Sequence, residues 1–324
     1  RKNIHILKSL DNQKKYWLGI FDNFENSTEI TGDYPRKVKR TYIGNTIFRK
    51  IPDDLCLKVK EVGIEYGCTE FMVYLSTYMI LLSIYSMKQE ITVGIPVAGR
   101  TSTESENALG MFVNTLVVKE NIAEKQSFSD LLCAVKKQLL DAYANQDYPF
   151  YQLISDLGLS GQVSENPLFN NFFIYQNYEH NAFFLDNKEM KEVRGLDKIS
   201  KFDLTLEIYP EKNDTFACLE YSIELYKDST AERILTHYLE LLKNIVSIPT
   251  TKITKVKYIN HDEEALIKDR FSGSKEYKYQ NMHFADLFEQ NITRFPEATA
   301  VIYNTEKLTY KELNSKGNAV ASLL

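Results

Sequence analysis

One helical segment constrains the fold of this chain more than any other feature. The segment from Thr69 to Ser86 is apolar on almost every side, and a helix that lacks a polar face has to be buried. Its longest apolar run, Phe71 to Tyr85, is interrupted by serine and threonine and does not read as a membrane span. The chain has 324 residues, which is enough to build layers around this helix and to bury a sizeable core.

Segments with the pattern of strands alternate with helices along the rest of the chain. A helix that opens at Pro52 and ends at Gly67 precedes the apolar segment, and Ser127 is placed to cap a long helix that reaches Asn145. A mixture of strands and helices of this length is typical of an α/β or α+β domain. The other predicted elements are a helix ending near Phe21, helices from Pro149 to Gly158 and from a Ser229-Thr230 cap to Ile245, and strands at 41–47, 91–98, 112–118, 171–176, 203–209 and 216–221.

The pattern changes after Pro249. Residues 250–280 are rich in Lys, Thr and acidic side chains and contain Ser272-Gly273-Ser274, which predicts a linker that is packed only in part. A stretch of about 40 residues then follows, which is near the lower limit for independent folding, and we expect it to be the beginning of a longer domain. Its predicted elements are a helix from His283 to Arg294, a strand from Ala300 to Tyr303, a turn at Asn304-Thr305 and a helix from Tyr310.

Composition narrows the class of protein. The chain is 44% hydrophobic and 26% charged, as in ordinary soluble proteins, and its net charge of −5 argues against nucleic-acid binding. Its four cysteines lie far apart without metal-ligand spacing, and Cys56 and Cys133 fit small buried hydrophobic residues. The start at Arg1 is neither an initiator methionine nor a signal peptide, so we expect a cytoplasmic protein whose first residue is not a natural start.

Five short segments occur together and in order, and jointly they are far more specific than any one of them. They are Gly94-Ile-Pro-Val-Ala-Gly-Arg100, Gly110-Met-Phe-Val-Asn-Thr-Leu116, Asn145-Gln-Asp-Tyr-Pro-Phe150, Asn166-Pro-Leu-Phe169 and Lys201-Phe-Asp-Leu-Thr-Leu206. The set resembles the motifs of condensation domains from nonribosomal peptide synthetases. Two departures stand out, since Tyr151 replaces the usual Glu and Ser164-Glu165 replace arginines that often precede the fourth segment.

The end of the chain resembles a second domain of the same synthetases. The segments His283-Phe-Ala-Asp-Leu-Phe-Glu289, Pro296-Glu-Ala-Thr-Ala300 and Leu308-Thr-Tyr-Lys-Glu-Leu313 are similar to the opening of an amino-acid adenylation domain. The resemblance therefore implies three parts. They are the C-terminal lobe of a condensation domain at 1–248, an inter-domain linker at 249–282 and an N-terminal fragment of an adenylation domain at 283–324.

The resemblance also implies a fold and a reaction. The fold is the chloramphenicol acetyltransferase-like one, in which two similar lobes meet in a V around a substrate tunnel, and this chain is expected to be the second lobe, a mixed α/β sheet flanked by helices. The family joins two substrates held as phosphopantetheinyl thioesters on carrier proteins, with a His-His-x-x-x-Asp-Gly motif in the first lobe. No two of the five histidines here are adjacent and no Asp-Gly dipeptide occurs. We therefore expect no catalytic residue in this chain and no activity from it alone.

Four residues are candidates for the wall of that tunnel, namely Arg100, Asn114, Thr115 and Asp203. Asn114 lies in an otherwise apolar strand, where an unpaired amide is costly, and it either faces the tunnel or bonds neighbouring backbone. Arg100 follows Gly99 in a loop and can equally be solvated or ion-paired, and Asp203 can be a strand-end charge. The other motif residues are expected to be structural, with Asp147 capping the next helix and Asn166-Pro167 forming a turn; they are Gly110, Phe112, Gln146, Asp147, Tyr148, Pro149, Asn166 and Pro167.

Partners and alternative functions follow from the same resemblance. The implied partners are peptidyl or aminoacyl carrier proteins with their phosphopantetheine arms, the first lobe and the rest of the adenylation domain; no metal ion or cofactor is expected to bind the chain directly. An exposed apolar face toward the first lobe predicts self-association. Two alternatives remain, a non-catalytic module that docks carrier proteins, and a related epimerisation or ester-forming domain, and an intact upstream histidine motif would favour an enzyme.

Overall fold

A computed structural model describes residues 2–22, 24, 27–100, 108–159, 166–176, 183–185, 188–190, 198–211, 214–271 and 283–323. The chain divides into two compact units, Arg1–Asn260 and His261–Leu324. Each unit is described by itself below.

A six-stranded sheet forms the framework of the first unit. Its strands are β1 (Gly44–Ile51), β2 (Glu90–Val97), β3 (Asn114–Asn121), β4 (Asn171–Tyr175), β7 (Leu204–Glu211) and β8 (Asp214–Ser222), in the order β1-β8-β7-β4-β2-β3. Its helices are α1 (Lys2–Ile20), α2 (Asp53–Tyr66), α3 (Glu70–Ser86), α4 (Phe128–Ala144), α5 (Phe150–Asp156) and α6 (Asp228–Ser247). A separate ribbon consists of β5 (Phe183–Leu185) and β6 (Lys188–Met190).

The strand directions give the sheet two chemically different ends. Strand β2 runs parallel to β4, and β4 runs parallel to β7, so all three begin at the same end. Asp203 directly precedes β7, and we call this end the Asp203 end. At the opposite end β2 finishes and its antiparallel partner β3 begins with Asn114, which lies opposite Val97. We call that end the Asn114 end.

Helix α3 is the buried centre of the helical layer, as its apolar sequence predicts. Thr69 caps it, accepting a hydrogen bond of 3.3 Å from the Met72 N–H. The helix packs against α2, α4, α6 and strand β2, and residues from Met72 to Leu82 are all buried. Within the described ranges no single helix is long and apolar enough to cross a membrane, and α2 with α3 passes that test only as a pair bent by 102°.

Two predicted boundaries at the Asp203 end are wrong by a few residues. The strand expected at 41–47 is β1, which begins only at Gly44 and ends at Ile51. It begins late because Tyr42 has a left-handed backbone with φ of 60° and cannot continue a ladder. Helix α6 follows Lys227 and has no side-chain cap, so Ser229 and Thr230 lie in its first turn rather than before it.

Two further expectations fail at exposed positions. The strand expected from residue 112 begins only at Asn114, because Phe112 and Val113 are exposed and lie outside the ladder. Cys133 is exposed on α4 and is not the buried residue that the helical pattern indicated. The caps and bounds predicted for α2, α3 and α4 are confirmed, with Gly67 after α2 and Ser127 before α4.

The stretch predicted as a linker begins as part of the first unit. The Ser129 N–H donates to the Pro249 carbonyl and the Ile253 N–H donates to the Gln126 carbonyl, each at 3.0 Å. Ser127 also forms a bridge with Lys252, and Ile253, which starts a short 3-10 turn, is buried. Residues 249–253 therefore pack beside the start of α4.

The second unit contains three helices and a hairpin among its described residues. They are α7 (His261–Phe271), α8 (Phe284–Arg294), β9 (Thr299–Tyr303), β10 (Glu306–Thr309) and α9 (Tyr310–Ala321). The predicted α8, β9 and α9 are confirmed, whereas α7 and β10 were missed because both are short and largely polar. None of the residues of the three helices is buried within this unit.

Candidate functional site

The amide of Asn114 joins two of the motif segments at the Asn114 end. Its Nδ2 donates to the carbonyls of Gln146 and Tyr148, each at 2.9 Å. Its Oδ1 accepts a hydrogen bond of 3.1 Å from the Phe150 N–H. The side chain therefore uses both its donor and its acceptor on the backbone of residues 146–150, and it holds that segment against the start of β3.

Arg100 and Phe112 form the outer part of the same region. The Arg100 Nη1 donates to the Ala108 carbonyl at 2.9 Å, and its guanidinium carbon lies 4.6 Å from the centre of the Phe112 ring. Gly99 has φ of +63°, and a Cβ there would lie 1.9 Å from the Phe112 carbonyl oxygen. Only glycine permits this close approach. Thr115 lies in β3 opposite Pro96.

An apolar segment next to Asn114 is open to solvent. Leu109, Met111 and Val113 are exposed, Met111 by 93%. Gly110 lies between the first two with φ of 153°, and the ring of Phe112 lies beside it. Such a group of exposed large apolar side chains within five residues makes this segment a candidate interaction surface.

The ring of Phe169 is the point at which the other motif segments meet. Its centroid lies 5.6 Å from that of Phe150 and 5.2 Å from that of Phe202. Phe202 in turn stacks on Phe172 with centroids 4.5 Å apart. A Cβ on Gly94 would lie 2.4 Å from the Phe169 ring, so β2 accepts this ring only because residue 94 is glycine. Four motif segments thus share one aromatic cluster.

A second set of contacts braces residues 145–156 from α1. The Trp17 indole N–H donates to the Asn145 carbonyl at 2.9 Å, and Trp17 is buried. Lys14 pairs with Asp156 at 3.0 Å, and the Tyr148 hydroxyl donates to the same carboxylate. Burial and the Asp156 carboxylate raise the pKa of Tyr148, while the Tyr148 hydroxyl and Lys14 lower the pKa of Asp156.

Asp203 lies at the other end of the sheet in a buried ion pair. Both of its carboxylate oxygens accept from Arg36, at 3.1 and 2.5 Å, and Arg40 lies 3.5 Å away. Asp203 is 1% exposed. Gly94 of β2 pairs with Phe172 of β4, and residue 171 of β4 pairs with residue 204 of β7. By this register, Asp203 lies at the same position along the strands as Thr92 of β2. Asn114 lies opposite Val97, about 16 Å further along the strands.

The structure therefore places Arg100, Asn114 and Thr115 at one end of the sheet, although no contact among the described residues joins these three side chains to one another, and it places Asp203 at the other end. The remaining motif residues surround the first group or shape its turns. Gln146 donates to the Tyr143 carbonyl at 2.9 Å, and the Asn166 Oδ1 accepts from the Leu168 N–H at 3.5 Å in the turn at Pro167. The expectation that Asp147 caps the next helix is wrong, because Pro149 occupies the cap position of α5 without any side-chain cap bond.

Sequence reasoning missed the residues that hold the motifs in place. Trp17 is the single tryptophan of the chain, which was the available signal. Nothing in the local sequence of Lys14 or Asp156 announces their pairing, because they are 142 positions apart. Arg36 and Arg40 belong to a basic run, Arg36-Lys-Val-Lys-Arg40, that was not singled out.

The motif side chains at the Asn114 end are an amide, a guanidinium, a hydroxyl and apolar groups. Lys14, Tyr148 and Asp156 lie in or beside the segment that Asn114 holds, where Lys14 and Tyr148 both bind the Asp156 carboxylate. Of the histidines with described side chains, His237 is buried, with its Nδ1 2.7 Å from the Tyr85 hydroxyl. His261 and His283 belong to the second unit. The hydrogen bonds of Asn114 shape the backbone of residues 146–150, and the exposed apolar side chains beside it suit contact with a ligand or another surface.

A comparison of sequences shows the family. The family model of the condensation domain matches residues 1–268, which is most of the chain. The chain belongs to the condensation-domain family. Gramicidin S synthase 2 of Brevibacillus brevis is 36% identical over 315 residues, 97% of this chain and 7% of that protein. Surfactin synthase subunit 1 of Bacillus subtilis (strain 168) is 33% identical over 94% of this chain and 8% of that protein. The chain therefore spans less than a tenth of these two relatives.

Solved structures share the fold. A four-domain nonribosomal peptide synthetase bound to AMP and glycine has a TM-score of 0.79 at 20% identity, covering 97% of this chain and 25% of that one. The condensation domain of the monacolin K polyketide synthase has a TM-score of 0.69 at 18% identity, covering 78% of this chain and 61% of that one. The predicted condensation-domain fold, a mixed sheet flanked by helices, is confirmed.

Proposed function

We propose that this chain is the C-terminal lobe of a condensation domain that forms peptide bonds in a nonribosomal peptide synthetase. Family membership supports this, as do relatives that are peptide synthases. The observation that carries the proposal is the Asn114 amide, which binds the backbone of a second family motif through three hydrogen bonds. A site assembled from several motifs beside an open apolar segment is suited to line a shared tunnel.

In this proposal the lobe contributes orientation rather than proton transfer. The donor substrate is a thioester, which is already activated. Holding the phosphopantetheine arms of the donor and acceptor carriers in the correct orientation would therefore supply much of the rate enhancement. Arg100, Asn114 and Thr115 would form part of the wall, with Phe112 held under the Arg100 guanidinium. The His-His-x-x-x-Asp-Gly motif does not occur in this sequence, and the general base would come from the other lobe.

We place Asp203 outside the tunnel wall. Its carboxylate is bound on both oxygens by Arg36 and is almost completely buried. A buried ion pair of this geometry is costly to open, and a substrate would gain little by competing for it. The proposed role of Asp203 is to join β7 to the segment that contains Arg36 and Arg40.

The proposed domain limits are 1–248 for the lobe, 249–282 for the linker and 283–324 for the start of an adenylation domain. The four-domain synthetase matches 97% of the chain, a span that reaches beyond the lobe. The second unit also leaves large apolar side chains exposed, including Phe284 by 84%. Such a surface fits a fragment whose core is completed by further residues.

The test is intact-protein mass spectrometry of an acceptor carrier protein. It is incubated with a loaded donor carrier and this chain, alone and joined to the preceding lobe. We expect dipeptide on the acceptor only when the lobe is restored. Asn114→Ala in the joined protein is expected to slow transfer by about 10- to 100-fold through misplacement of the wall, whereas Asn121→Ala at the exposed end of the same strand leaves the rate unchanged.

Two outcomes would count against the proposal. Product from this chain alone would contradict the requirement for the histidine motif. No product from the joined protein, with carriers that still bind, would favour a non-catalytic module that docks carrier proteins. The exposed segment from Leu109 to Val113 supports one further part of the proposal, self-association of the isolated chain, which light scattering against concentration measures.

A further inference from the structure

Three segments meet at the Asp203 end of the first unit and form one exposed face. Ile43 forms an antiparallel bridge with Ile199, and its carbonyl accepts a hydrogen bond of 3.3 Å from the Ile223 N–H. The Ser200 N–H donates to the Tyr42 carbonyl at 2.9 Å. We call the surface formed by Tyr42, Ile43, Ile199 and Ile223 the Tyr42 face.

The centre of the Tyr42 face is apolar. Residues that lie opposite each other in a bridge point to the same side of the ladder, so Ile43 and Ile199 are neighbours on the outer side. The residues that follow them, Gly44 and Ser200, are buried. The exposed fractions of the four side chains are 49% for Tyr42, 46% for Ile43, 55% for Ile199 and 41% for Ile223.

The backbone at Tyr42 is held in an unfavourable conformation. Its φ of 60° lies in the left-handed region, which is unfavourable for any residue with a side chain relative to glycine. The segment nevertheless keeps a tyrosine there, half exposed, with the Arg40 guanidinium carbon 5.5 Å from its ring centre. Strain of this kind persists where a side chain has to be presented in a fixed direction.

The rim of the Tyr42 face is basic. Lys39, Lys198 and Lys201 are exposed around the apolar centre. Three cations of the 36–40 segment already have carboxylate partners, Arg36 and Arg40 with Asp203, Arg36 also with Glu29, and Lys37 with Glu224 at 2.9 Å. Among the described residues of these segments, the three exposed lysines therefore give the face a positive sign, while the chain as a whole carries −5.

We propose that the Tyr42 face docks an acidic protein surface with an apolar centre. On the function proposed above, on which this inference rests, that partner is a carrier protein. Tyrosine is one of the residue types that dominate interface energies when it lies at the centre of a patch, and Tyr42 is half exposed among three isoleucines. A basic rim on an otherwise acidic chain orients an acidic partner toward this face and repels it from the others.

The face is poorly suited to other polyanions. Nucleic acid is bound by basic stripes that follow successive phosphates, whereas these lysines surround four apolar side chains. Stable attachment to an anionic membrane takes clusters of about four to eight basic residues or an amphipathic helix. The face also lies at the opposite end of the sheet from Asn114, so that its variants leave the proposed tunnel wall untouched.

The test is the affinity of this chain for an acidic apo carrier protein, measured by calorimetry at low and physiological salt. Lys39→Glu with Lys198→Glu is expected to weaken binding by about tenfold or more and to reduce its salt dependence. Tyr42→Gly removes the ring and should weaken binding about tenfold. Because glycine also relieves the left-handed strain, the thermal midpoint of this variant should stay equal or rise. A purely structural tyrosine would not show that combination.

The matched control is Lys58→Glu with Lys60→Glu, the same charge change on exposed positions of α2, which should leave affinity within about twofold. The inference is overturned if the wild-type chain does not bind the carrier, if the Tyr42-face variants bind as well as the control, or if vesicles of anionic lipid or a single-stranded RNA bind more tightly than the carrier. The transfer assay separates the two proposals. If these variants transfer at the unchanged rate, only the proposed docking surface is rejected. If the carrier docks normally but no transfer occurs, only the proposed reaction is rejected.

Discussion

Each end of the six-stranded sheet joins two distant chain segments, but the two ends use different chemistry. At the Asn114 end a neutral amide ties two chain segments together through three hydrogen bonds to backbone. At the Asp203 end a buried carboxylate and two arginines do so through charge. Each arrangement holds a loop against the start of a strand.

The difference fits what each end has to expose. The Asn114 end carries an open apolar segment from Leu109 to Val113, and the neutral Asn114 amide beside it adds no charge of its own to be desolvated when a ligand or lobe covers that segment. At the Asp203 end the carboxylate itself is buried, while Tyr42 and its apolar neighbours and the surrounding lysines are exposed. The buried carboxylate is thus a structural joint made of charges, whereas the Asn114 amide is a neutral joint next to an exposed apolar segment.

The largest effect is expected from removing the buried charge at the Asp203 end. Asp203→Asn removes the anion between Arg36 and Arg40 and leaves both guanidinium groups without it, which should lower the free energy of unfolding by about 3–5 kcal/mol. Urea unfolding measures it. Asp214→Asn is the matched control, since the Lys50–Asp214 pair is half exposed on both sides and should cost no more than about 1 kcal/mol. Equal losses in the two variants would show that Asp203 is not the joint described.

A smaller effect is expected at the neutral end. Asn114→Ala leaves the carbonyls of Gln146 and Tyr148 without their donor and should cost about 1–3 kcal/mol. Asn114→Asp should cost more than Asn114→Ala, because a carboxylate can accept from the Phe150 N–H but places a negative charge against two carbonyl oxygens. Asn121→Ala, at the exposed end of the same strand, is expected to be neutral in urea unfolding. A stable Asn114→Asp protein would show that the amide donors are dispensable.

Most elements of the fold could be predicted, because their signals are local. Thr69 and Ser127 each accept a hydrogen bond from the helix that they precede, and the all-apolar α3 is buried. The failure at β1 came where a distant contact overrides the local pattern. Tyr42 reads as a strand residue, but the pairing of Ile43 with Ile199 and the left-handed backbone before it delay β1 to Gly44.

The candidate site was predictable only in part, for the same reason. The five motif segments could be found in the sequence. That four of them converge on Phe169 depends on contacts between residues far apart. Asn114 looked equally suited to a backbone staple and to a tunnel wall, and its three bonds now give the staple a definite geometry. The partner of Asp203 is 167 positions away, so no local pattern could have distinguished a buried joint from a tunnel residue.

The smallest expected effect separates the two ends by pH. Glu224 lies at the Asp203 end, where the Thr41 N–H and Lys37 lower its pKa from 4.5 to about 2. A carboxylate whose pKa is lowered on folding stabilises the protein above its unfolded pKa, and that stabilisation is lost as the pH falls from about 4.5 toward 2.

Glu224→Gln should therefore be less stable than wild type by about 1 kcal/mol at neutral pH, as for a partly exposed pair, and the two proteins should converge near pH 2. Urea unfolding from pH 7 downward measures the difference. Glu232→Gln removes the same charge from the exposed Arg49 pair and serves as the control. If the Glu224→Gln difference persisted unchanged below pH 3, the loss would lie in packing rather than charge, and the contrast between a charged and a neutral end would not hold for this residue.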